Sequence, residues 1–387
     1  MTIMDAPAQD ATTARKDFGA IADRLAAGFA KSAAENDSGD CFVASHYDQL
    51  KSEGLITAGV PEALGGGGAD VRALCDIIRR LAHGCSSTAL AFSMHSHQVA
   101  FPAWRWHHQP AAVPMVEPLL KRIAAERLVL LSSGGGDWIG GSGKAVAVEG
   151  GYKVTARKMF VSGAPAGDIL MTSAVVDEDD GAKVIHFPCP MAAPEVSVLD
   201  TWHTLGMRAT GSHDVMIDGL FVPADKVPVK RPAGQWHPLF FMLGTIAFPL
   251  IYAAYLGVAE RARDIAVGIA SGRTASPVTR ARAGEMDTAL TACRLAHQHM
   301  IATVDLNAPS AETVNQVMTG RRLVEENAIR CVEKSMELAG GAGFYRKAEL
   351  ERLFRDIQAA RYHPLQKEIQ TEYAGAMALG QSIDTIY

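Results

Sequence analysis

Apolar residues recur at three- and four-residue intervals through the first third of the chain. In "VRALCDIIRRLAHG" they mark one face of a helix that stops at Gly84. From about residue 126 the period falls to two. "GKAVAVEGGYKVTARKMFVSG" alternates on either side of Gly150-Gly151, which predicts a hairpin. "DILMTSAVV", "AKVIHFP", "EVSVL" and "HDVMIDGLFVP" predict further short strands with Gly, Pro or Asp at their breaks. Near residue 236 the helical spacing returns. "GEMDTALTACRLAHQHMIATV" carries a stripe at Met286, Leu290, Cys293, Ala296 and Met300. Ser310 is placed to cap a long helix that stops near Gly340-Gly341. The next helix runs through "AELERLFRDIQAARY" to Pro364, and the last carries "KEIQTEYAGAMALG". The expected class is α+β. It comprises an N-terminal helical domain (1–125), a central antiparallel β-barrel domain (126–235) and a C-terminal four-helix bundle (236–387).

Composition narrows the function classes. The 387 residues are 48% apolar and 20% charged, ordinary for a soluble globular chain. A net charge of −5 gives no support for a nucleic-acid partner or an anionic membrane. The stretch "PLFFMLGTIAFPLIYAAYLGVA" (238–259) has the length of a membrane span. Its two glycines, two prolines and the "ERARD" that follows read instead as a buried helix. The N-terminus has no apolar segment of secretory type, and the six scattered cysteines read as reduced thiols, so a cytoplasmic location is expected. There is no CxxC or HExxH, so no metal site is expected. The glycine loop "PEALGGGGAD" follows no strand and precedes no Lys-Ser/Thr, unlike a phosphate-binding loop.

Two segments carry a specific resemblance. "WHTLGMRATGSHDVMIDGLFVPADKV" (202–227) and "ELAGGAGFYRKAELERLFRD" (337–356) resemble the acyl-CoA dehydrogenase superfamily. "KMFVSG" (158–163) resembles its flavin-contacting strand and "GVPEALGGGGAD" its N-terminal loop. The resemblance covers nearly the whole chain in order. It implies a flavin, FAD or FMN, wedged between the β domain and the C-terminal bundle of a homotetramer. By position it implies a Ser162 hydroxyl near flavin N5, Phe160 packed on the ring and Ser132 hydrogen-bonded to the flavin. Arg273 would bind the FAD pyrophosphate of a neighbouring subunit, with Gly340 and Gly341 letting backbone approach it. Simpler roles stay open: Ser162 as a strand-end serine, the glycine pair as a helix C-cap.

Departures from the family pattern bear on the chemistry. The usual Thr-Glu-Pro loop appears as "SSGGGD" (132–137), and Arg273 lacks the phenylalanine that usually follows it. Removing an acyl-CoA α-proton needs a carboxylate within reach. In most members a glutamate lies nine residues after the Arg of Arg-Asp; here that place is Pro364. Another branch puts it on the first bundle helix, where this chain has Ala247. Glu368 and Glu372 lie a turn or more beyond. His363 stands beside the vacant place, and a monooxygenase branch of the family, the dibenzothiophene monooxygenases among them, carries a histidine at this spacing. That branch also has a serine at the Ser162 position and a histidine in the N-terminal helical domain, where this chain offers His95 and His97. The two cannot both face the flavin from one helix, and His95 is the first choice. An oxygen-activating flavin needs water excluded and neutral donors around it, which histidine and serine supply. The expectation is a flavin-dependent monooxygenase fed by a separate flavin reductase and acting on a small apolar substrate. The alternatives are an acyl-CoA dehydrogenase with an unconventional base, passing electrons to an electron-transfer flavoprotein, and a degenerate binding protein.

Overall fold

The computed structural model describes residues 16–386 except 138, 139, 273 and 275. Six helices come first: α1 (Phe18–Phe29), α2 (Ala33–Ser38), α3 (Ala44–Glu53), α4 (Val71–Ala82), α5 (Ser86–His108) and α6 (Val113–Glu126). Eight strands follow: β1 (Leu130–Ser132), β2 (Lys144–Val148), β3 (Gly151–Lys158), β4 (Ile169–Glu178), β5 (Gly181–Pro190), β6 (Val196–Val198), β7 (Val215–Pro223) and β8 (Val229–Pro232). Five helices complete the chain: α7 (Pro238–Ser271), α8 (Pro277–Asp305), α9 (Ala311–Ala339), α10 (Leu350–Ile357) and α11 (Lys367–Ala378).

The local chemistry explains the boundaries. Asp70 caps α4 by accepting the Ala73 N–H at 2.8 Å, and the helix turns Leu74, Ile78 and Leu81 inward. Ser310 and Thr313 form a reciprocal capping box at the start of α9. β2 and β3 make the expected hairpin, with Val148 opposite Gly151 and Gly150 at φ 79° in the turn.

All eight strands join one sheet, whose hydrogen-bonded path runs β6-β7-β3-β2-β4-β5-β8 with β1 against β4. The sheet is mixed rather than wholly antiparallel: β4 pairs in parallel with both β1 and β2. Period-two alternation is common to both strand directions, so the sequence pattern does not separate them. The expected fourth long bundle helix also differs. It ends at Ile357 and continues as a 3₁₀ turn, Gln358–Tyr362, leaving α11 to pack on α9.

The buried core runs through α7. This helix is long and apolar enough to cross a membrane by length and composition, but 83% of its most apolar window is buried inside the protein. It packs on α4, α5, α8 and α9, which explains why it lacks a polar face. At Gly257 a Cβ would stand 2.3 Å from the Arg79 carbonyl of α4, so only glycine allows the helices this close. All six cysteines are free and five are buried.

Candidate active site

Strand β3 sets one wall. Its period turns Val154, Ala156 and Lys158 inward, and Lys158 is fully buried. The ammonium donates to the Ser142 carbonyl at 2.8 Å and its hydroxyl at 3.0 Å, and pairs with Asp137 Oδ2 at 3.1 Å. Burial presses the ammonium below its ordinary range, with Asp137 opposing that shift. Beyond Lys158 the strand ends and the chain turns outward. Phe160 sits at φ 57°, a region that bulky residues avoid. Met159 and Phe160 are 56% and 58% exposed.

The facing wall comes from the C-terminal helices. Phe240, Gly244 and Phe248 recur every four residues along one face of α7. With Val314 and Met318 of α9, with Tyr362, Pro364, Leu365 and Gln366, and with Gly134–Gly135, they close a cavity of about 500 Å³ against Met159 and Phe160; His363 lies between two of these residues in the chain but does not itself line the cavity. Gly135 is required there: a Cβ would fall 2.2 Å from the Pro364 ring.

His363 adopts extended backbone, φ −72° and ψ 150°, as the residue before a proline is pushed to do. It follows a 3₁₀ turn and caps no α-helix. Its Nε2 lies 2.5 Å from the Tyr255 hydroxyl of α7. Arg321 of α9, fully buried, holds the backbone around it. Its guanidinium donates to the carbonyls of Ala360 (3.3 Å), His363 (3.4 Å) and Leu365, to the Tyr252 hydroxyl (2.6 Å) and to Glu325 (3.0 Å). Burial, then the Arg321 charge, then the His97 ring depress the His363 pKa to about 3. The imidazole is neutral at physiological pH.

The structure separates His95 from His97. Both nitrogens of His95 are engaged by backbone: Nε2 donates to the Ile56 carbonyl at 2.8 Å, and Nδ1 accepts the Leu130 N–H at 3.0 Å. His97 points elsewhere. Its Nε2 lies 3.4 Å from Ser132 Oγ, and its Nδ1 is buried with no partner among the described residues. Burial and the nearby His95 lower its pKa to about 3.

Ser162 Oγ lies 2.8 Å from Ser212 Oγ, which lies 2.6 Å from Thr210 Oγ1. Thr210 donates to the Met207 carbonyl at 2.9 Å. A carbonyl cannot donate, so this chain of hydroxyls satisfies every member only if Ser212 donates to Thr210 and Ser162 to Ser212. Ser162 then keeps its free lone pairs as acceptors.

The bare Phe160 ring and Met159 thioether above a glycine floor suit the flat isoalloxazine ring that the sequence resemblance implies. Gly340 and Gly341 lie apart from this cavity, exposed at the C-terminus of α9. Gly340 takes φ 62° and ψ −149°, open only to glycine, whereas a Cβ on Gly341 would meet nothing within 4 Å. Arg273 lies outside the described residues. Glu368 and Glu372 are exposed on α11 and do not line the cavity. Tyr255, Arg321 and Ser212 were not singled out in the sequence. A tyrosine in an apolar helix and an arginine in a long amphipathic one carry no local signal of a shared partner.

Comparison with known proteins agrees with this architecture. Residues 13–108 match the family model described as acyl-CoA dehydrogenase, N-terminal domain, and residues 250–368 match acyl-CoA dehydrogenase, C-terminal domain. The L-evernosamine nitrososynthase of Micromonospora sp. is 31% identical over 380 residues, covering 92% of this chain and 88% of that protein. A putative acyl-CoA dehydrogenase of Bacillus subtilis, YdbM, is 28% identical over 360 residues, covering 88% of this chain and 91% of its own. The solved structure of KijD3 in complex with FMN and dTDP-3-amino-2,3,6-trideoxy-4-keto-3-methyl-D-glucose superposes with a TM-score of 0.87 at 28% identity, covering 95% of each chain. Three textures in order, a cavity between sheet and bundle, and these matches at both ends converge: the chain belongs to the acyl-CoA dehydrogenase superfamily of flavin-dependent oxidoreductases, whose members use FAD or FMN.

Proposed function

We propose that the chain is a monooxygenase that receives reduced flavin from a separate reductase and oxygenates a small, largely apolar substrate with O2. One observation carries this reading: no carboxylate among the described residues is free to act as a base in the cavity. Asp137, the carboxylate in its lining, is committed to Lys158 and Ser142. Pro364 holds the place of the family's usual glutamate, and the neighbouring His363 is a neutral imidazole. α-Proton removal has no agent here. A neutral histidine and hydroxyls near a largely apolar cavity suit oxygen chemistry instead. When bound, reduced flavin supplies the electrons and the centre that activates oxygen. The chain's own residues then bind and orient. Phe160 and Met159 offer a face for the ring, Ser132 and Ser162 offer hydroxyls, and His363 and His97 offer neutral imidazoles. His97 takes this role in place of His95, whose ring is committed to backbone.

The lining also speaks to the substrate. Arg157 is the cation among the described lining residues, and it is tied to Asp214 at 2.7 Å. A nucleotide-linked sugar of the kind bound by KijD3 would bring a diphosphate to a wall with no unpaired cation. An uncharged, apolar molecule fits the rings of Phe240, Phe248 and Trp236. Leu295 and Leu323 stand exposed beside the groove between α8 and α9, consistent with a homotetramer in which another copy covers them.

Stopped-flow mixing of the protein and reduced FMN with oxygenated buffer tests the reading. A transient absorbance distinct from reduced and oxidised flavin is expected, and His363→Ala should shorten its lifetime. Reoxidation in a single phase, as for free flavin, would sink the oxygenase reading. Anaerobic bleaching of bound oxidised FAD by an acyl-CoA would replace it with the dehydrogenase, and failure to bind either flavin with a binding protein. A substrate panel containing indole, an aromatic sulfide and a nucleotide-linked amino sugar separates the two substrate classes.

A further inference from the structure

The contact between α7 and the 358–366 segment contains a hydrogen bond with only one consistent direction. Tyr255 is completely buried, and its hydroxyl meets a single partner among the described residues, Nε2 of His363 at 2.5 Å. A phenol carries one proton to give and two lone pairs to receive. Were the Nε2 proton to point at Tyr255, the tyrosine's own O–H would be left without an acceptor inside the core, a state that folded proteins avoid. The neighbouring Tyr252 offers no alternative. Its hydroxyl already donates to the Ala360 carbonyl at 2.8 Å and accepts from Arg321 at 2.6 Å. The tyrosine proton therefore goes to Nε2.

We propose that Tyr255 is a positioning residue that locks His363 as its Nδ1–H tautomer, so that the ring presents one neutral donor, Nδ1–H, and no acceptor. Nδ1 has no partner among the described residues, which leaves that proton available. Two further contacts maintain the arrangement. The rings of Tyr255 and His363 lie 5.4 Å apart, and Tyr252 meets the His363 ring edge-on at 6.1 Å, so the imidazole packs against a pair of tyrosine rings that also touch each other. The Arg321 guanidinium, within reach of the His363 carbonyl, opposes a second proton on the ring. The consequence is a directional one. A histidine free to exchange tautomers could either donate to a partner or take a proton from it. This one can only donate. The inference rests on the reading of His363 as a functional donor, but the tautomer itself can be measured without flavin.

The test is the nitrogen NMR spectrum of ¹⁵N-histidine-labelled protein at neutral pH, with His363→Gln used to identify the His363 ring. Wild type is expected to show a protonated Nδ1 and a bare, hydrogen-bonded Nε2. Tyr255→Phe, which keeps the ring and removes only the hydroxyl, is expected to shift the population towards Nε2–H, the form that a neutral imidazole prefers by itself. A wild-type ring protonated at Nε2, or a Tyr255→Phe ring that keeps Nδ1–H, would overturn the proposal. The wild-type spectrum decides the tautomer by itself, so a variant that failed to fold would not shelter the idea. If the tautomer is as stated while the stopped-flow transient is unaffected by His363→Ala, the functional reading has failed and the positioning has not.

Discussion

Two histidines one residue apart have opposite lives. His95 is a structural bracket between the Ile56 carbonyl and β1, and His97 carries a buried nitrogen with no partner among the described residues. His95→Ala strands the Leu130 N–H and the Ile56 carbonyl and should cost about 2–4 kcal/mol of stability. His97→Ala removes no comparable pair. It should cost less in a urea melt and more in flavin-dependent turnover, and a larger stability loss for His97→Ala than for His95→Ala would contradict these assignments. Sequence reasoning reached the pair and ranked His95 first, whereas the hydrogen bonds favour His97 as the freer ring. Position on the helix could not decide between them, because the deciding partners are backbone atoms some 35 residues away in the chain. Ser162 and Phe160 are different. The motif suggests roles for them beside a flavin, whereas the positive φ of Phe160 and the hydroxyl chain behind Ser162 become visible only in three dimensions.

The segment from Gln358 to Gln366 has little regular structure to support it, and α9 does the holding. Arg321 alone reaches three of its carbonyls. This guanidinium is buried with Glu325, itself shared with Arg322. Arg321→Met leaves the carbonyls and part of the Glu325 charge uncompensated, a class of change that costs roughly 3–5 kcal/mol. Arg321→Met/Glu325→Leu should recover part of that loss, as judged by urea midpoints, but not the placement of His363. If the single variant melts like wild type, the segment is held by something else. Helical periodicity predicted a continuous helix up to Pro364 and so missed the break at Ile357. The broken helix is what lets Ala360 and His363 turn their carbonyls to Arg321.

Arg355 and Asp356, adjacent on α10, join the molecule's three regions. Arg355 grips Asp37 with two bonds of 2.6 and 3.0 Å and the Leu205 carbonyl at 3.2 Å. Asp356 accepts the Met207 N–H at 2.6 Å and the Ser86 hydroxyl. These tertiary ties explain a motif that periodicity alone left without a cause. Acid should weaken the whole. Burial depresses His46 and His95 to about 4 and His97, His186 and His363 to about 3, whereas the unfolded chain takes these protons near 6.5. A depressed folded pKa gives stability that is complete above the unfolded value and lost as pH falls towards the folded one. Glu260 adds to this below the ordinary glutamate range. Burial would raise it, but hydrogen bonds from His83 and Arg79 hold it at about 2. Buried Asp356, pushed up, works in the opposite sense. Urea midpoints should be level above about pH 7 and fall steadily between roughly pH 6.5 and 4. A flat profile across that window would mean the histidines are more accessible than their burial implies. The three textures of the sequence anticipated the gross plan of helices, sheet and bundle, because each period reports which face meets a core. The parallel pairing of β4 with β1 and β2 was not legible, because it depends on connections rather than on faces.

The close seat of Pro364 against Gly135 bears on how readily the site could be given a base. By the family resemblance, a dehydrogenase carries at this position the glutamate that removes the α-proton. Here the proline ring fills the space a Gly135 Cβ would need, so loop and segment have settled against each other. Pro364→Glu would place its side chain beside a loop that is already seated against residue 364. Pro364→Glu alone is therefore expected to give no acyl-CoA oxidation, since loop and segment would have to part before the new carboxylate could settle in the cavity.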